Sequence, residues 1–516
     1  MSKVPSKSRL QSAAPPTEPG GTLRLEVCTR LAKVAPEEWD SLLEPDDAPL
    51  LSWGYLQGLE EAGCVGPASG WLPAHLLLRA VHGDRRLVAA APAYVKTNSD
   101  GEWVYDLDWA EFAQQRGLAY YPKLVLAVPF NPVTGGRLLT HPALPAGERQ
   151  ALRTALLQAA QAVCKSAGLS SAHVLFPRGP GFQRGESAGA AADAPLAAPL
   201  PAALPPETAA MPAAGFLLRQ QEQYHFLNEG YRTFEDFLAR LRSHRRSAIR
   251  RERRELAAAG ITVRTHSGLG GALGFTAAEL DQVFDMYVAT SQRYTGGPPF
   301  LNRRFFRLCA ERLGARLELV LARDRQGQLL GGAWNLRGER RLYGRYWGRR
   351  DLSFDNRVDH GPDHGPDHGP DYGPDQDPDQ DPDHETGAAA EPAPVPFLHF
   401  EVCYYHAVER CIQAGLQAFE PGHGGDQKLV RGFTPSYTYS AHYLIDARLR
   451  LPIEAFLKYE TPLVEEALRA AARRSNLRAQ ASSASAAGAL AAGPDSPPVS
   501  KSISPAAPKT AAKDEV

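Results

Sequence analysis

The chain of 516 residues has no run of about 18 apolar residues, so no membrane-spanning helix is expected. Its N-terminus is positively charged but lacks an apolar stretch, which argues against a secretory leader and makes the cytoplasm the expected address. Six cysteines are scattered without any C-x-x-C pair, a usage that fits buried thiols in a reducing compartment and excludes a disulfide framework. Two common signatures are also missing. There is no G-x-x-x-x-G-K-[ST] phosphate loop and no G-x-S-x-G nucleophile elbow.

What remains is a globular composition diluted by low-complexity stretches. Hydrophobic residues make up 43%, slightly under the usual globular share. Ala/Pro/Gly-rich stretches at 1–21, 183–214, 355–396 and 475–516 account for the shortfall, and the rest is long enough for two packed domains. The net charge of −1 hides a division: residues 355–391 carry twelve acids and one arginine, a local charge of −11 that leaves +10 elsewhere. A basic body favours anionic partners such as coenzyme A, nucleotides or tRNA. The acidic tract repeats D-H-G-P and D-Q-D-P, and proline at every fourth residue forbids helix and ladder alike.

Periodicity predicts an α/β order that occurs twice. The first block has a strand at 22–31, helices opening at Pro36 and after Ser52, a hairpin through HLLLRA and RLVAAAPAYVKT, a strand in KLVLAV, a helix at 148–166 and the strand SSAHVLF. The second has the hairpin 316–323/328–336, the strand RRLYGRYWG, a helix at about 398–413 and the strand LQAFE. This parallel predicts an internal two-fold repeat. Between the blocks, residues 234–260 read as one helix, capped by Thr233, ended by Gly260 and carrying eight arginines from Arg240 to Arg254. The expected organisation is an N-terminal stretch 1–21, a first domain 22–182, a linker 183–214, a second domain 215–460 containing the 355–396 insert, and a tail 461–516 with a short helix.

Five motifs invite chemistry. His399, Cys403 and His406 are spaced for one helix face, but the set is neither paired nor closed, and no metal is expected there. The repeat's His360, His364, His368 and His384 give no fixed geometry for a metal. G-L-G-G-A-L-G at 268–274 has Leu273 where a dinucleotide loop needs its third glycine, and reads as a plain loop. The arginine-rich helix is either a solvated face or an anion-binding surface, the latter because so many arginines with only Glu252 and Glu255 nearby repel one another. The run FEPGHGGDQKLVRGF leaves a strand end in a glycine-rich loop and places Lys428 and Arg431 close behind it, where α/β folds put chemistry.

Together, SWGYLQGLEEAGCVGPASGWLPAHLLL, YYPKLVLAVPFNPVTGGRLL, NEGYRTFEDFLARLRSHRRSAIRRERRE and LHFEVCYYHAVERCIQAGLQAFEPGHGGDQKLVRGFTPSYTYSAHYL resemble the bacterial FemAB-like predicted N-acyltransferases of the GNAT superfamily, also described as peptidoglycan biosynthesis/recognition proteins. The resemblance covers about residues 22–460 apart from the inserts. It implies an α/β fold of mixed sheets in two tandem GNAT-like domains. It also implies transfer of an acyl or aminoacyl group, from acyl-CoA or aminoacyl-tRNA as co-substrate, to a small-molecule or peptide amine such as a cell-wall precursor. No tightly bound cofactor is expected. Where the family pattern has Glu-His before its lysine, this chain has Asp426-Gln427.

On this reading the acyl carbonyl lies beside splayed strands of the second domain. Lys428, with Arg431, serves the oxyanion, and Glu420 is the base. Trp347, Gly348, His399 and Tyr404 hold the donor, while Arg245, Arg246, Arg250, Arg251 and Tyr294 hold substrate. The alternative is a non-catalytic module that binds RNA or an anionic cell-wall precursor through the arginine helix.

Overall fold

The computed structural model describes Leu10 and residues 22–83, 85–104, 106–179, 204–268, 272–295, 297–350, 395–475 and 477; the side chains of Tyr294, Thr295 and Asp426 are not among those described. The acidic repeat, with its histidines, and most of the terminal stretches lie outside these residues, as do positions 269–271 of the glycine run.

Among the described residues, fifteen strands build two sheets. β1 (Leu23–Cys28), β3 (His75–Ala80), β4 (Leu87–Ala91) and β7 (Leu139–Thr140) form a four-stranded antiparallel sheet in the order β1-β3-β4-β7. In the second sheet the first half supplies β2 (Trp71–Pro73), β5 (Ala93–Lys96), β6 (Lys123–Leu126) and β8 (Ser171–Leu175). Then come β9 (Leu217–Leu227), β10 (Thr262–Ser267), β11 (Leu317–Arg323), β12 (Leu329–Arg337), β13 (Arg341–Arg349), β14 (Ala418–Glu420) and β15 (Thr434–Leu444). These eleven run in the order β10-β11-β12-β13-β14-β9-β15-β8-β6-β5-β2.

The predicted repeat is visible in this order. β6 pairs parallel with β8 and antiparallel with β5, and β13 pairs parallel with β14 and antiparallel with β12. In each half a helical segment joins the parallel pair: Ala146–Ala167 in the first, and Leu398–Gln413 in the second. The chain forms two tandem domains of mixed α/β architecture. The halves exchange their closing strands, because β9 pairs with β14 and the C-terminal β15 pairs with β8, while β9 and β15 pair with each other.

Local signals explain most of these elements. Ser52 caps the Trp53–Glu61 helix through the Tyr55 N–H, Thr233 and Asp236 form a capping box, and Gly168 ends Ala146–Ala167 at φ 72°, a conformation glycine adopts without strain. Three expectations need correction. The 234–260 helix is two, Phe234–Arg240 and Ser243–Ala258, because Leu241 is extended (ψ 154°) and fully buried in the aromatic cluster of Phe234 and Phe237. The stretch read as a linker contains the helix Pro206–Ala213, whose Glu207 carboxylate, buried, accepts from the backbone N–H groups of Arg137 and Leu138. The tail boundary at 460/461 falls inside one helix, Ala447–Arg474.

The two halves share one core. Trp53–Glu61 of the first packs on Arg303–Leu313 of the second, close enough that a Cβ on Gly54 would lie 3.3 Å from Leu313, and Tyr55 meets Phe305 edge-on at 5.2 Å. A cavity between the halves is therefore held from both sides. Among the described residues no helix is long and apolar enough to cross a membrane.

Candidate active site

Parallel pairing of β13 with β14 covers only Arg341↔Ala418, Leu342↔Phe419 and Tyr343↔Glu420. Beyond Tyr343, β13 continues to Arg349 while the chain after Glu420 turns off through Pro421–Gly425. The strands splay, and a cavity of about 270 Å³ opens between them, lined on one side by Gly344–Trp347 and on the other by Pro421, Gly422, His423 and Lys428.

β13 carries a bulge at this point. Trp334 faces Tyr346 and Asn335 faces Gly344, so Arg345 is an extra residue with no partner on β12, and β14 has already left on the other side. The cavity roof comes from Tyr287, Thr290 and Ser291 of the helix Ala277–Thr295, and from Phe300. The first half adds Trp103, Phe130 and Pro132; Trp103 and Phe130 sit at positive φ (59° and 60°), and Phe130 stacks on Phe300 at 4.8 Å. The third wall is the helical segment after the insert. A π-turn over Glu401–Tyr405 helps bring both Cys403 and Tyr404 to the cavity along with His399, whose ring lies 5.2 Å from those of Trp347 and Tyr404.

The predicted donor residues Trp347, His399 and Tyr404 thus line one cavity together with Lys428. Gly348 does not line it: a Cβ there would sit 2.1 Å from the Met286 carbonyl carbon, so this glycine lets the Ala277–Thr295 helix approach the sheet. His399, Cys403 and His406 diverge, since His406 turns to Thr265 (Nε2–Oγ1 2.9 Å) on the far side. The side chain of Tyr294 lies outside the described residues.

Lys428 is buried, and its Nζ donates to the carbonyls of Gly422, His423 and Gly424 at 2.8, 2.9 and 2.6 Å. Burial and then the nearby Arg345 push it down to about 7. All three ammonium protons are committed to the loop, so its geometry is that of a loop clamp instead of an oxyanion donor. Glu420 is buried too and points away from the cavity, beside Arg341 (3.5 Å) and Arg345 (3.7 Å), accepting from the Thr134 N–H at 3.4 Å. Arg431 also lies outside the cavity. It donates to the Tyr405 hydroxyl (2.8 Å) and the Gln427 side chain (2.6 Å) and covers the Phe400 ring at 3.4 Å. Burial, with Lys428 and Arg431 nearby, pushes His399 down to about 3, which keeps its imidazole neutral.

The arginine helix is elsewhere, and none of Arg245, Arg246, Arg250 or Arg251 lines the cavity. The helix is not starved of acids. Arg250 pairs with Glu235, Arg251 with Glu255 at 3.5 Å, Arg245 approaches Glu252 at 4.0 Å, and Arg253 pairs with Glu401 (3.0 Å) and Glu409 (2.7 Å); Arg246 donates to the Leu241 carbonyl. Residues that sequence reasoning missed are Asn335 and Arg345 on the bulged strands and the aromatic lids Trp103, Phe130 and Phe300. The glycine-rich loop that carries His423 is legible in the sequence as a site.

A family model described as peptidoglycan biosynthesis/recognition, FemAB-like, matches residues 30–198, 199–354 and 387–479. The chain belongs to the FemAB-like family. Among solved structures, this FemAB-like chain is similar to FemX (11% identity, 82% of this chain and 98% of that one, TM-score 0.44). It is also similar to L-PGS from Bacillus licheniformis (10%, 84% and 97%, 0.40) and to Saccharomyces cerevisiae N-myristoyltransferase with bound myristoyl-CoA (10%, 86% and 84%, 0.31). A search of curated proteins gives no match.

Proposed function

We propose that the protein is an N-acyltransferase whose reaction takes place in the cavity between β13 and β14. The observation that carries this reading is the splay itself: beside an aromatic-walled space, the backbone N–H groups of the bulged strand β13 beyond Tyr343 have no ladder partner on the departing β14. Such groups are preorganised donors for the oxyanion of an acyl-transfer intermediate. An acceptor amine attacks the donor carbonyl carbon, the new C–N bond forms, and the bond to the donor's sulfur or oxygen breaks. The amine's proton passes to a base and then to the leaving atom. Glu420 faces its arginines and His399 is held too acidic to keep a proton, which favours His423 on the cavity loop as that base. Peptidoglycan-type peptides with a free amine are the acceptors that the family description suggests. The non-catalytic reading loses its motive, because the arginines it relied on are largely paired within the fold.

Assays pairing acyl-CoA or aminoacyl-tRNA donors with amine-bearing muropeptides test the proposal by mass spectrometry. The acceptor should gain one acyl group with wild-type protein. Ala333→Trp, which fills the cavity, should abolish transfer while keeping the circular dichroism spectrum. Transfer that survives a filled cavity sinks the assignment.

Lys428→Met should damage the loop as well as the activity. Three carbonyls lose their donor, which costs ~3 kcal/mol of stability if they stay dry, and His423 loses its fixed position. Urea midpoint and turnover should fall together. A variant with wild-type stability and no turnover would restore a direct chemical role for the lysine.

A further inference from the structure

We infer that the protein self-associates through the helix Ala447–Arg474, whose outer face pairs antiparallel with the same face of a second copy. Leu449, Ile453, Leu457 and Leu468 bury the inner side of this helix. Its outer side is apolar as well: Leu451, Tyr459 and Leu463 are 65%, 67% and 52% exposed, and Pro452, Ala455 and Pro462 are exposed beside them. At about 100° of turn per residue these six positions fall within an arc of ~120°, and no charged residue interrupts that arc between them. Arg448 and Glu466 lie on the midline of the same arc, one at each end. A contiguous apolar stripe with a charged rim is the mark of an interaction surface.

The order of residues names the occupant. In sequence the stripe is symmetric about Leu457: Ala455 and Tyr459 stand two positions from it, Pro452 and Pro462 five, Leu451 and Leu463 six, and Arg448 and Glu466 nine. A two-fold axis level with Leu457 therefore matches the stripe to itself, as an isologous contact requires. Leu451 of one copy meets Pro462 and Leu463 of the other, the small Ala455 meets the large Tyr459, and Arg448 meets Glu466 at both ends. Parallel pairing would instead set arginine on arginine and glutamate on glutamate.

Both end charges have local partners in the single chain. Arg448 lies 2.7 Å from Asp446, and Glu466 lies 2.7 Å from Arg473 and 3.8 Å from Arg469. All of these pairs are exposed, so each contributes little and can be exchanged for a partner on the second copy. A lipid surface suits the helix less well, because Lys458 stands among Glu454, Glu460 and Glu465 where a membrane-bound helix is rich in Lys and Arg. From Arg448 to Glu466 the seam is ~27 Å long, one helix face and less than the roughly 800 Å² per partner of a standard interface. The dimer is therefore reversible and depends on concentration.

Sedimentation velocity on the full chain tests this. Between about 5 and 300 µM the weight-average sedimentation coefficient should climb towards that of a dimer. Tyr459→Glu and Leu463→Glu should each hold the protein monomeric with an unchanged circular dichroism spectrum, since both positions are exposed. Arg448→Glu and Glu466→Arg should each weaken the dimer about tenfold, because every end contact occurs twice by symmetry, and combining the two reversals should restore it. A monomer at every concentration overturns the inference, as does a dimer indifferent to Tyr459→Glu or reversals that fail to compensate. Cross-links from Lys458 to Lys501, Lys509 or Lys513 of the same chain would give the face to the chain's own tail, and binding to anionic lipid vesicles lost in Tyr459→Glu would give it to a membrane; either result also overturns it.

Discussion

Lys123→Met should destabilise the protein by ~3–5 kcal/mol, the scale of breaking a buried ion pair by removing one partner. Lys123 on β6 is fully buried, and its Nζ lies 2.9 Å from Glu102, 2.5 Å from Asp106 and 3.1 Å from the Ser99 hydroxyl. Asp106 also accepts from Ser99 and Tyr120, both at 2.6 Å. Burial pushes Glu102 up to about 7, with Lys123 opposing it, so without the lysine two carboxyls would share a dry site with no adjacent strong cation except Lys96, itself pushed down to about 7 by burial. The effect should reach the cavity. Trp103, which lines it, follows Glu102 directly and is held at φ 59° by the segment that the lysine pins. Urea denaturation should show the lower midpoint, and adding Glu102→Gln and Asp106→Asn should recover much of the loss. An unchanged midpoint for the single variant would contradict the account.

Acidification should be comparably costly. His173 on β8 and His442 on β15 face each other across the strands that join the halves, with Nδ1 atoms 2.6 Å apart and each Nε2 on a serine hydroxyl, Ser171 or Ser440. At least one of the two rings must be neutral for such a bond, since two imidazolium groups have no lone pair between them. Burial pushes His173 down to about 3 and His442 well below its ordinary value; burial also lowers His225 and His406 to about 4. The unfolded chain therefore binds more protons than the folded one below the ordinary histidine value of 6.5. Stability present at pH 7 is lost progressively as pH falls from about 6.5 towards 3–4. At pH 5 each such group costs up to ~2 kcal/mol, so the pair alone removes up to ~4 kcal/mol. Urea midpoints at pH 7 and pH 5 should differ strongly, and His173→Gln with His442→Gln should flatten the difference. A wild-type midpoint independent of pH across this interval would refute it.

The sequence was most legible where signals are local. Both hairpins, the strands flanking the splay and the Thr233 cap follow from alternation and capping chemistry. The break at Leu241 was not legible, because its cause is a tertiary pocket beneath Gly432 and Phe237 instead of a helix-stopping residue. Nor were the partners of the arginine helix. Glu401 and Glu409 lie some 150 positions away in the chain, so counting only neighbouring acids overstated the repulsion. Within the site, Trp347, His399, Tyr404 and Lys428 line one cavity. Glu420 was misdirected by an argument from position alone: a strand-end carboxylate looked available until Arg341 and Arg345 were seen beside it. The lids Trp103 and Phe130 depend on the first half packing onto the second, which no local pattern encodes.

Photolabelling tests the central claim most directly. A hexanoyl-CoA analogue carrying a diazirine on its acyl chain, irradiated with the full chain and mapped by peptide mass spectrometry, should mark residues of the β13/β14 cavity. Labels are expected within Tyr287–Phe300, Ala333–Trp347, His399–Tyr404 or Pro421–Lys428, and should be competed by unlabelled hexanoyl-CoA. Labelling concentrated on the arginine helix Ser243–Ala258, or no competed label in the cavity, would contradict the account.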